Sequence, residues 1–147
     1  MINQNNNFLT YTTLKNIGSM SIPGPLQNSA LRDYCKQHGY NFNIPIEEFI
    51  FEGCYIELFN LIEKLDNSYK GIITFSIYCL PKNKSVRDKF CKKIIKKNKI
   101  IHFINEKMIL KNLKDLHDIN DIIELNNNNI ESLKIEKLLK NEYFNWR

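Results

Sequence analysis

Glycine, cysteine and long apolar runs are all scarce in this chain, and each scarcity excludes a class of protein. Five glycines in 147 residues are too few, and too widely spaced, for the glycine-rich loops that bind nucleotide phosphates. The four cysteines form no Cys-x-x-Cys pair, so zinc and redox motifs have no support. No apolar stretch reaches the roughly 20 residues that cross a bilayer. We expect free thiols, no metal, no cofactor and no membrane span.

A secretion signal is also missing from the sequence pattern. The first residues carry no basic segment followed by an apolar core, so we expect a cytoplasmic protein. Hydrophobic residues make up 43% and charged residues 25%, which is ordinary for a folded protein. A chain of 147 residues is long enough for one domain with a substantial core.

Positive charge is in excess, with a formal net charge of +5. Much of it lies between Lys82 and Lys99, where a basic face could attract nucleic acid, anionic lipid or phosphorylated substrates. Lysine is also a common solubilising residue. Apart from Phe90 on the apolar face, no aromatic residue interleaves with the lysines as a single-strand binder requires. We therefore disfavour nucleic acid as the partner of this face.

Apolar strands alternate with amphipathic helices along the first 111 residues. The patterns predict strands over 8–13, 40–44, 71–78 and 100–104, and helices over 25–38, 54–65 and 85–97. This alternation predicts a single three-layer α/β domain with a mostly parallel sheet of about four strands and helices on both faces.

The character of the chain changes after Lys111. A weak helical stripe covers 113–123, the asparagine run at 126–129 predicts a loop, and 130–144 predicts a final helix. We expect residues 1–111 to form the α/β domain and 112–147 a C-terminal helical extension. That extension packs on the same domain or on a partner, with Trp146 as an anchor, and a homo-oligomer is one option.

A rigid loop follows the first strand and marks the candidate site. Residues 19–28 read Ser-Met-Ser-Ile-Pro-Gly-Pro-Leu-Gln-Asn, and Pro25 suits the first turn of a helix. Because ligands bind beyond the carboxyl ends of parallel strands, we expect a crevice between this loop and the ends of two later strands. The catalytic candidates are Ser19, Ser21 and Glu106, and the ligand-binding candidates are Gln27, Asn28, Arg32 and Ser76.

Each candidate also has a structural alternative. Loop serines commonly cap turns, and neither Ser19 nor Ser21 has an obvious base nearby. Gln27 can bond to the loop backbone, and Glu106 can cap a turn instead of acting as a general base. His102 lies between two apolar residues, where a core or surface histidine is expected more than a metal ligand.

Three segments resemble the sporadic carbohydrate cluster protein family. They are Ile-Pro-Gly-Pro-Leu-Gln-Asn at 22–28, Leu-Arg-Asp-Tyr-Cys at 31–35 and Phe-Ser-Ile-Tyr-Cys-Leu-Pro at 75–81. The match extends through Ile-His-Phe at 101–103 and Glu106. The resemblance implies a small bacterial protein encoded among genes for surface polysaccharide, such as lipopolysaccharide O-antigen. It supplies no reaction, because the family is known by its genomic setting.

The order of elements is also similar to the catalytic domain of serine recombinases, the resolvases. That family has a serine loop after its first strand and an Asp-Arg-Leu-x-Arg motif after its central strand. Aligned on Leu80, this chain has Tyr78, Cys79 and Lys82 at the positions of the Asp and the two Arg. Lysine cannot reproduce a bidentate guanidinium, so the resemblance implies the fold without strand exchange.

Three functions stay open at this point. The leading one is a protein of surface-polysaccharide biosynthesis that binds or acts on a sugar phosphate or a nucleotide sugar. The alternatives are a degenerate serine-recombinase-like DNA-binding protein without strand-exchange activity, and a non-catalytic scaffolding subunit. Whether the protein is an enzyme is left open.

Overall fold

Five strands form one sheet in the part of the chain that the structure describes. This computed structural model describes residues 6–144, and beyond position 129 it describes the side chains of Ile135 and Leu138 only. The strands are β1 (Phe8–Thr12), β2 (Ile46–Glu47), β3 (Gly71–Thr74), β4 (Ile100–Phe103) and β5 (Met108–Leu110). Their order is β2-β1-β3-β4-β5, with β1 to β4 parallel and β5 antiparallel to β4.

Helices cover both faces of the sheet, because the central strands are apolar on both sides. The helices are α1 (Gly24–His38), α2 (Ile56–Lys64), α3 (Lys84–Lys96) and α4 (Leu113–Phe144). Leu31 and Cys35 of α1 pack with Phe8 and Ile73 on one face. The other three helices bury their apolar residues in a larger cluster on the opposite face. The predicted three-layer α/β architecture with a mostly parallel sheet is confirmed, with five strands where about four were expected.

The predicted second strand at 40–44 forms only a single parallel bridge, between Asn41 and Asn7. Strand β2 comes two residues later, after Pro45, and pairs with β1 through Tyr11 and Ile46. Tyr40 is already used elsewhere: its N–H donates to the Cys35 carbonyl at 2.8 Å and closes the end of α1, while its ring packs on Phe8. After this cap, Asn43 contacts β1 through hydrogen bonds with Phe8 and Thr10, and regular pairing with β1 begins only at Ile46.

The central strand is half as long as predicted. Strand β3 ends at Thr74, whose register partner is Tyr11, near the end of β1. The chain then leaves the sheet, and Ile77–Cys79 form a 3₁₀ turn that Ser76 caps. The continuous apolar run at 71–78 therefore predicts burial correctly, but only its first four residues form a strand.

The first residue of β3 must be glycine because β4 approaches it closely. A Cβ atom at Gly71 would lie 1.8 Å from the Ile100 carbonyl oxygen, which is far inside any allowed contact. Gly71 also pairs with both Phe8 and Ile100 across the two neighbouring strands. The single glycine therefore allows three parallel strands to align at this end of the sheet.

Two features near the C-terminus were not predicted. Strand β5 has only three residues, too few for a periodic signal, and follows a turn in which Lys107 has a positive φ of 55°. The predicted loop at 126–129 is wrong, because α4 runs through it as one helix. Leu116, Ile119 and Ile123 bury the first half of that helix, which outweighs the modest helix penalty of asparagine. Trp146 lies outside the described residues.

A buried histidine lies between the sheet and α1. The Tyr34 hydroxyl is 2.6 Å from Nδ1 of His102, and Nε2 is buried without a partner among the described residues. The rings of Phe8 and Tyr40 lie within 5.1 and 5.8 Å of the imidazole. Burial disfavours the charged imidazolium and lowers the pKa of His102 to about 4.

We expect this histidine to make the protein less stable in mild acid. The unfolded imidazole has a pKa near ~6.5, so below that pH the unfolded chain binds a proton that the folded protein excludes. His102 therefore lowers the free energy of unfolding by up to roughly 3 kcal/mol as the pH falls from 7 towards 4. Urea unfolding across this range should show a shallower pH dependence for His102→Asn. The exposed-site variant His117→Asn should keep the wild-type slope, and equal slopes for all three proteins would contradict the assignment.

Candidate functional site

The loop between β1 and α1 is fastened by one buried amide. Gln27 is fully buried, and its Oε1 accepts the Thr13 N–H at 3.2 Å. Its Nε2 donates to the carbonyls of Thr13 at 2.6 Å and Ile22 at 2.8 Å. The amide thus ties both ends of the loop to the helix, and no atom of it remains for a ligand. We therefore remove Gln27 from the candidate ligand contacts.

The tip of this loop is a tight turn that presents Ser19. Ile17 and Met20 exchange backbone hydrogen bonds of 2.7 and 3.2 Å, and Gly18 adopts a positive φ of 64° between them. Ser19 is exposed at the tip, and no described side chain forms a hydrogen bond with its hydroxyl. Ser19 thus faces the crevice without a base that would activate it as a nucleophile.

A carboxylate holds the turn that follows β3. Glu106 accepts hydrogen bonds from the Ser76 hydroxyl at 2.8 Å, the Ile77 N–H at 2.6 Å and the Asn105 amide at 3.0 Å. The Ser76 oxygen in turn accepts the Tyr78 N–H at 3.1 Å. Glu106 and Ser76 do meet, as the strand-end reasoning expected, but their polar atoms are engaged with one another and with the backbone. This is the structural alternative to the catalytic and ligand-binding roles predicted for them.

Tyr78 divides the crevice into two chambers. The larger, of about 370 Å³, extends towards α3 and α4, and the smaller, of about 240 Å³, extends towards Phe75 and Asn105. Both are bordered by Gly18, Ser19, Tyr78 and Asn126. Burial raises the pKa of the Tyr78 phenol, while the Asn126 amide opposes the shift, so the phenol is protonated at neutral pH. It can therefore donate a hydrogen bond into either chamber.

Arg87 supplies the positive charge of the larger chamber. The side chain is 4% exposed, and its Nε donates to Asn120 at 2.7 Å. Its Nη1 donates to the carbonyls of Pro81 at 3.0 Å and Lys82 at 3.1 Å. No hydrogen bond of Nη2 to a described residue is present, and Arg87 borders the larger chamber. Burial lowers the pKa of Arg87 from its usual value, and the nearby Asp88 opposes that shift.

Sequence reasoning missed Arg87, although the sequence carries a signal. In the basic segment that contains α3, all basic residues except Arg87 are lysines. A lone arginine among lysines favours a buried, directional hydrogen-bonding role, because the guanidinium is planar and weakly hydrated. Its neighbour in the chamber, Lys82, is exposed and forms an ion pair of 3.7 Å with Glu52 at the rim.

The remaining candidates lie away from both chambers. Arg32 is exposed on α1, and its guanidinium lies 5.3 Å from the centre of the Phe42 ring. Ser21 is exposed and Asn28 is half-buried, and neither borders a chamber. Of the predicted set, the structure brings only Ser19 and Ser76 to the crevice walls.

Comparison with known proteins supports the fold. The chain is similar to the N-terminal catalytic domain of TP901-1 integrase, with a TM-score of 0.55 and 17% identity over 87% of this chain and 98% of that domain. At this identity the likeness shows the fold alone. The predicted recombinase-like fold is therefore confirmed.

Sequence comparison assigns no family. No protein-family model matches the chain, and no curated protein matches it either. The resemblance to the sporadic carbohydrate cluster family therefore finds no support in these comparisons and rests on the quoted segments alone.

We expect the role of Gln27 to appear as stability. Gln27→Ala would leave three backbone groups unpaired, two of them buried, which should lower the free energy of unfolding by about 2–4 kcal/mol. Asn28→Ala removes the neighbouring amide, which is half-buried and has no described hydrogen bond, and should cost less than about 0.5 kcal/mol. Urea denaturation of both variants measures the difference. Similar losses for the two would mean that Gln27 does not fasten the loop.

Proposed function

We propose that the protein binds a phosphorylated small molecule, a sugar phosphate or a nucleotide sugar, in the crevice, and that it serves surface-polysaccharide biosynthesis. The observation that carries the binding role is the placement of Arg87. A buried guanidinium whose hydrogen bonds all go to neutral acceptors keeps its full charge for a ligand. The biosynthetic setting is supported by the resemblance of segments 22–28, 31–35 and 75–81.

The partners of Arg87 orient it without neutralising it. Asp88 is the nearest acid in sequence, and its carboxylate is bonded to Asn120 at 2.8 Å and to Lys84 at 3.0 Å. An anion entering the larger chamber would meet Nη2 of Arg87 in a site of reduced solvent access. Charge-assisted hydrogen bonds are stronger than neutral ones, so a phosphate suits this position.

The rest of the lining suits a polyhydroxylated group. The Tyr78 phenol and the Asn126 amide lie between the chambers, and Asn127 and Asn105 border one chamber each. Amides both donate and accept hydrogen bonds, as sugar hydroxyls require, and an aromatic ring provides an apolar face. The larger chamber lies at the lower end of the roughly 300–1,000 Å³ that is typical of small-molecule sites.

Binding, rather than catalysis, is the activity that these residues support. Ser19 has no hydrogen-bonded base among the described residues, and Ser21 borders neither chamber. The Glu106 carboxylate is engaged by three donors. A general base must lie within reach of the proton it removes, and Glu106 borders neither chamber.

A DNA-binding, recombinase-like role is the second candidate. It is favoured by the fold, which is similar to the catalytic domain of an integrase, and by the exposed lysines of α3. Against it, Cys79 stands buried in the core at one expected arginine position. Arg87 is also buried in a chamber that residues of α4 border, which limits the access of a phosphodiester of duplex DNA.

A thermal-shift titration tests the proposal. Glucose 1-phosphate and uridine diphosphate glucose serve as probes, with inorganic phosphate as the reference anion. We expect at least one sugar probe to raise Tm, and Arg87→Gln or Lys82→Gln to weaken its affinity about tenfold or more, because a charged hydrogen bond contributes about 1.5–3 kcal/mol. Lys82 is exposed, so its variant separates lost binding from lost folding. Arg32→Gln is the matched arginine control and should bind like the wild type.

Two results would overturn the proposal. One is the absence of any shift with a panel of sugar phosphates and nucleotide sugars. The other is an affinity that Arg87→Gln and Lys82→Gln leave unchanged. If duplex DNA is retarded in a gel instead, with a steep dependence on salt, the second candidate is the better one.

A further inference from the structure

An apolar loop projects from the domain beside the crevice. Its residues 49–53, Phe-Ile-Phe-Glu-Gly, are all exposed, and we call this segment the apolar loop. The exposed fractions are 49% for Phe49, 62% for Ile50 and 69% for Phe51. Neighbouring large apolar side chains on solvent-facing loops are uncommon in folded proteins and mark interaction sites.

The first end of the apolar loop is fixed by a buried carboxylate. Glu48 accepts the backbone N–H groups of Phe49 at 3.1 Å, Glu57 at 3.0 Å and Leu58 at 3.1 Å. The hydroxyl of Tyr11 donates to the same carboxylate at 3.1 Å. The carboxylate therefore joins the loop to the start of α2 and to β1. This anchoring fixes the backbone from which the apolar side chains project.

The other end of the apolar loop is fixed as well. The Cys54 N–H donates to the Phe51 carbonyl at 3.1 Å, and Gly53 takes a positive φ of 73° to close that turn. The buried Lys15 donates to the Cys54 carbonyl, and its ammonium lies 4.1 Å from the centre of the Tyr55 ring. A loop fastened at both ends holds Ile50 and Phe51 in solvent instead of letting them collapse onto the surface.

Positive charge lies next to the apolar loop. Its only carboxylate, Glu52, pairs with Lys82 at 3.7 Å. From Lys82 the chain enters α3, whose exposed lysines continue away from the loop: Lys84, Lys89, Lys92, Lys93 and Lys96. The acids nearby are Glu47 and Glu57 at the base of the loop, and Asp88, which is bonded to Lys84. The surface beside the loop is therefore cationic on the α3 side.

We propose that the apolar loop inserts into the interface of an anionic lipid bilayer, with the α3 lysines against the lipid phosphates. An apolar protrusion flanked by lysines is the pattern of peripheral membrane attachment. The three apolar side chains of the loop form a small surface. A stable protein–protein interface buries about 800 Å² per partner, which is more than these three side chains offer. Among the described residues, no helix has the length and apolar character of a membrane span.

The inference does not rest on what the crevice binds. If both proposals hold, Lys82 places the rim of the crevice at the lipid surface, because it borders the larger chamber and also pairs with the apolar loop. The vesicle assay and the thermal-shift titration can fail separately, which keeps the two proposals distinguishable.

Vesicle sedimentation with the full chain tests the proposal. Wild-type protein should sediment with phosphatidylcholine vesicles that contain about 30% phosphatidylglycerol, and much less with phosphatidylcholine alone. Ile50→Gln/Phe51→Gln should weaken binding tenfold or more, because two apolar side chains no longer leave water. Leu113→Gln/Leu125→Gln changes two residues of α4 with similar exposure, 60% and 63%, and should bind like the wild type. Lys89→Gln/Lys92→Gln should weaken binding several-fold at low salt only.

Three results would overturn the proposal. The first is the absence of sedimentation with either vesicle, and the second is equal binding by the loop variant and the wild type. The third is a dimer in light scattering that Ile50→Gln/Phe51→Gln abolishes, because the loop would then contact a second copy of the chain.

Discussion

The hydrogen bonds of the Glu106 carboxylate hold the turn on which the crevice depends. By accepting from Ser76 and the Ile77 backbone, Glu106 fixes where the chain goes after it leaves β3. That turn places Tyr78 between the chambers, and the carbonyls of Pro81 and Lys82 that follow it orient Arg87. One carboxylate at the end of β4 therefore positions, through backbone geometry, the arginine that we assign to ligand binding. Glu106 thus shapes the crevice through the backbone without bordering either chamber.

The sequence predicts the fold better than the site. Alternating apolar strands and amphipathic helices indicate a parallel sheet with helices on both faces, because that pattern reflects burial on both sides of the strands. Boundaries are less predictable: β3 ends at Thr74 although apolar residues continue, since burial in a turn and in a strand require the same composition. The asparagines at 126–129 join α4, because packing of Ile119 and Ile123 outweighs local propensity.

Polar residues of the site are harder to predict, because one residue type serves both structure and binding. Gln27 was expected to contact a ligand, and its amide instead satisfies three backbone groups inside the loop. Arg32 packs against Phe42, while Arg87, in the first turn of the lysine-rich α3, borders the crevice. The position of a polar residue in the sequence predicts that it lies near the carboxyl ends of the strands. The direction of its hydrogen bonds depends on partners far away in the chain, such as Asn120 for Arg87.

Helix α4 forms part of the crevice wall and also extends beyond it. Its first half is packed on the domain through Leu116, Ile119 and Ile123, and the next turn contributes Asn126 and Asn127 to the wall. Asparagine contributes little to helix stability, so this turn depends on its surroundings. A ligand that contacts these amides would stabilise the turn. By reciprocity, any change that stabilises the turn would raise the affinity for that ligand by the same factor. If the crevice binds a ligand as proposed, its occupancy and the stability of this turn are two readouts of one equilibrium.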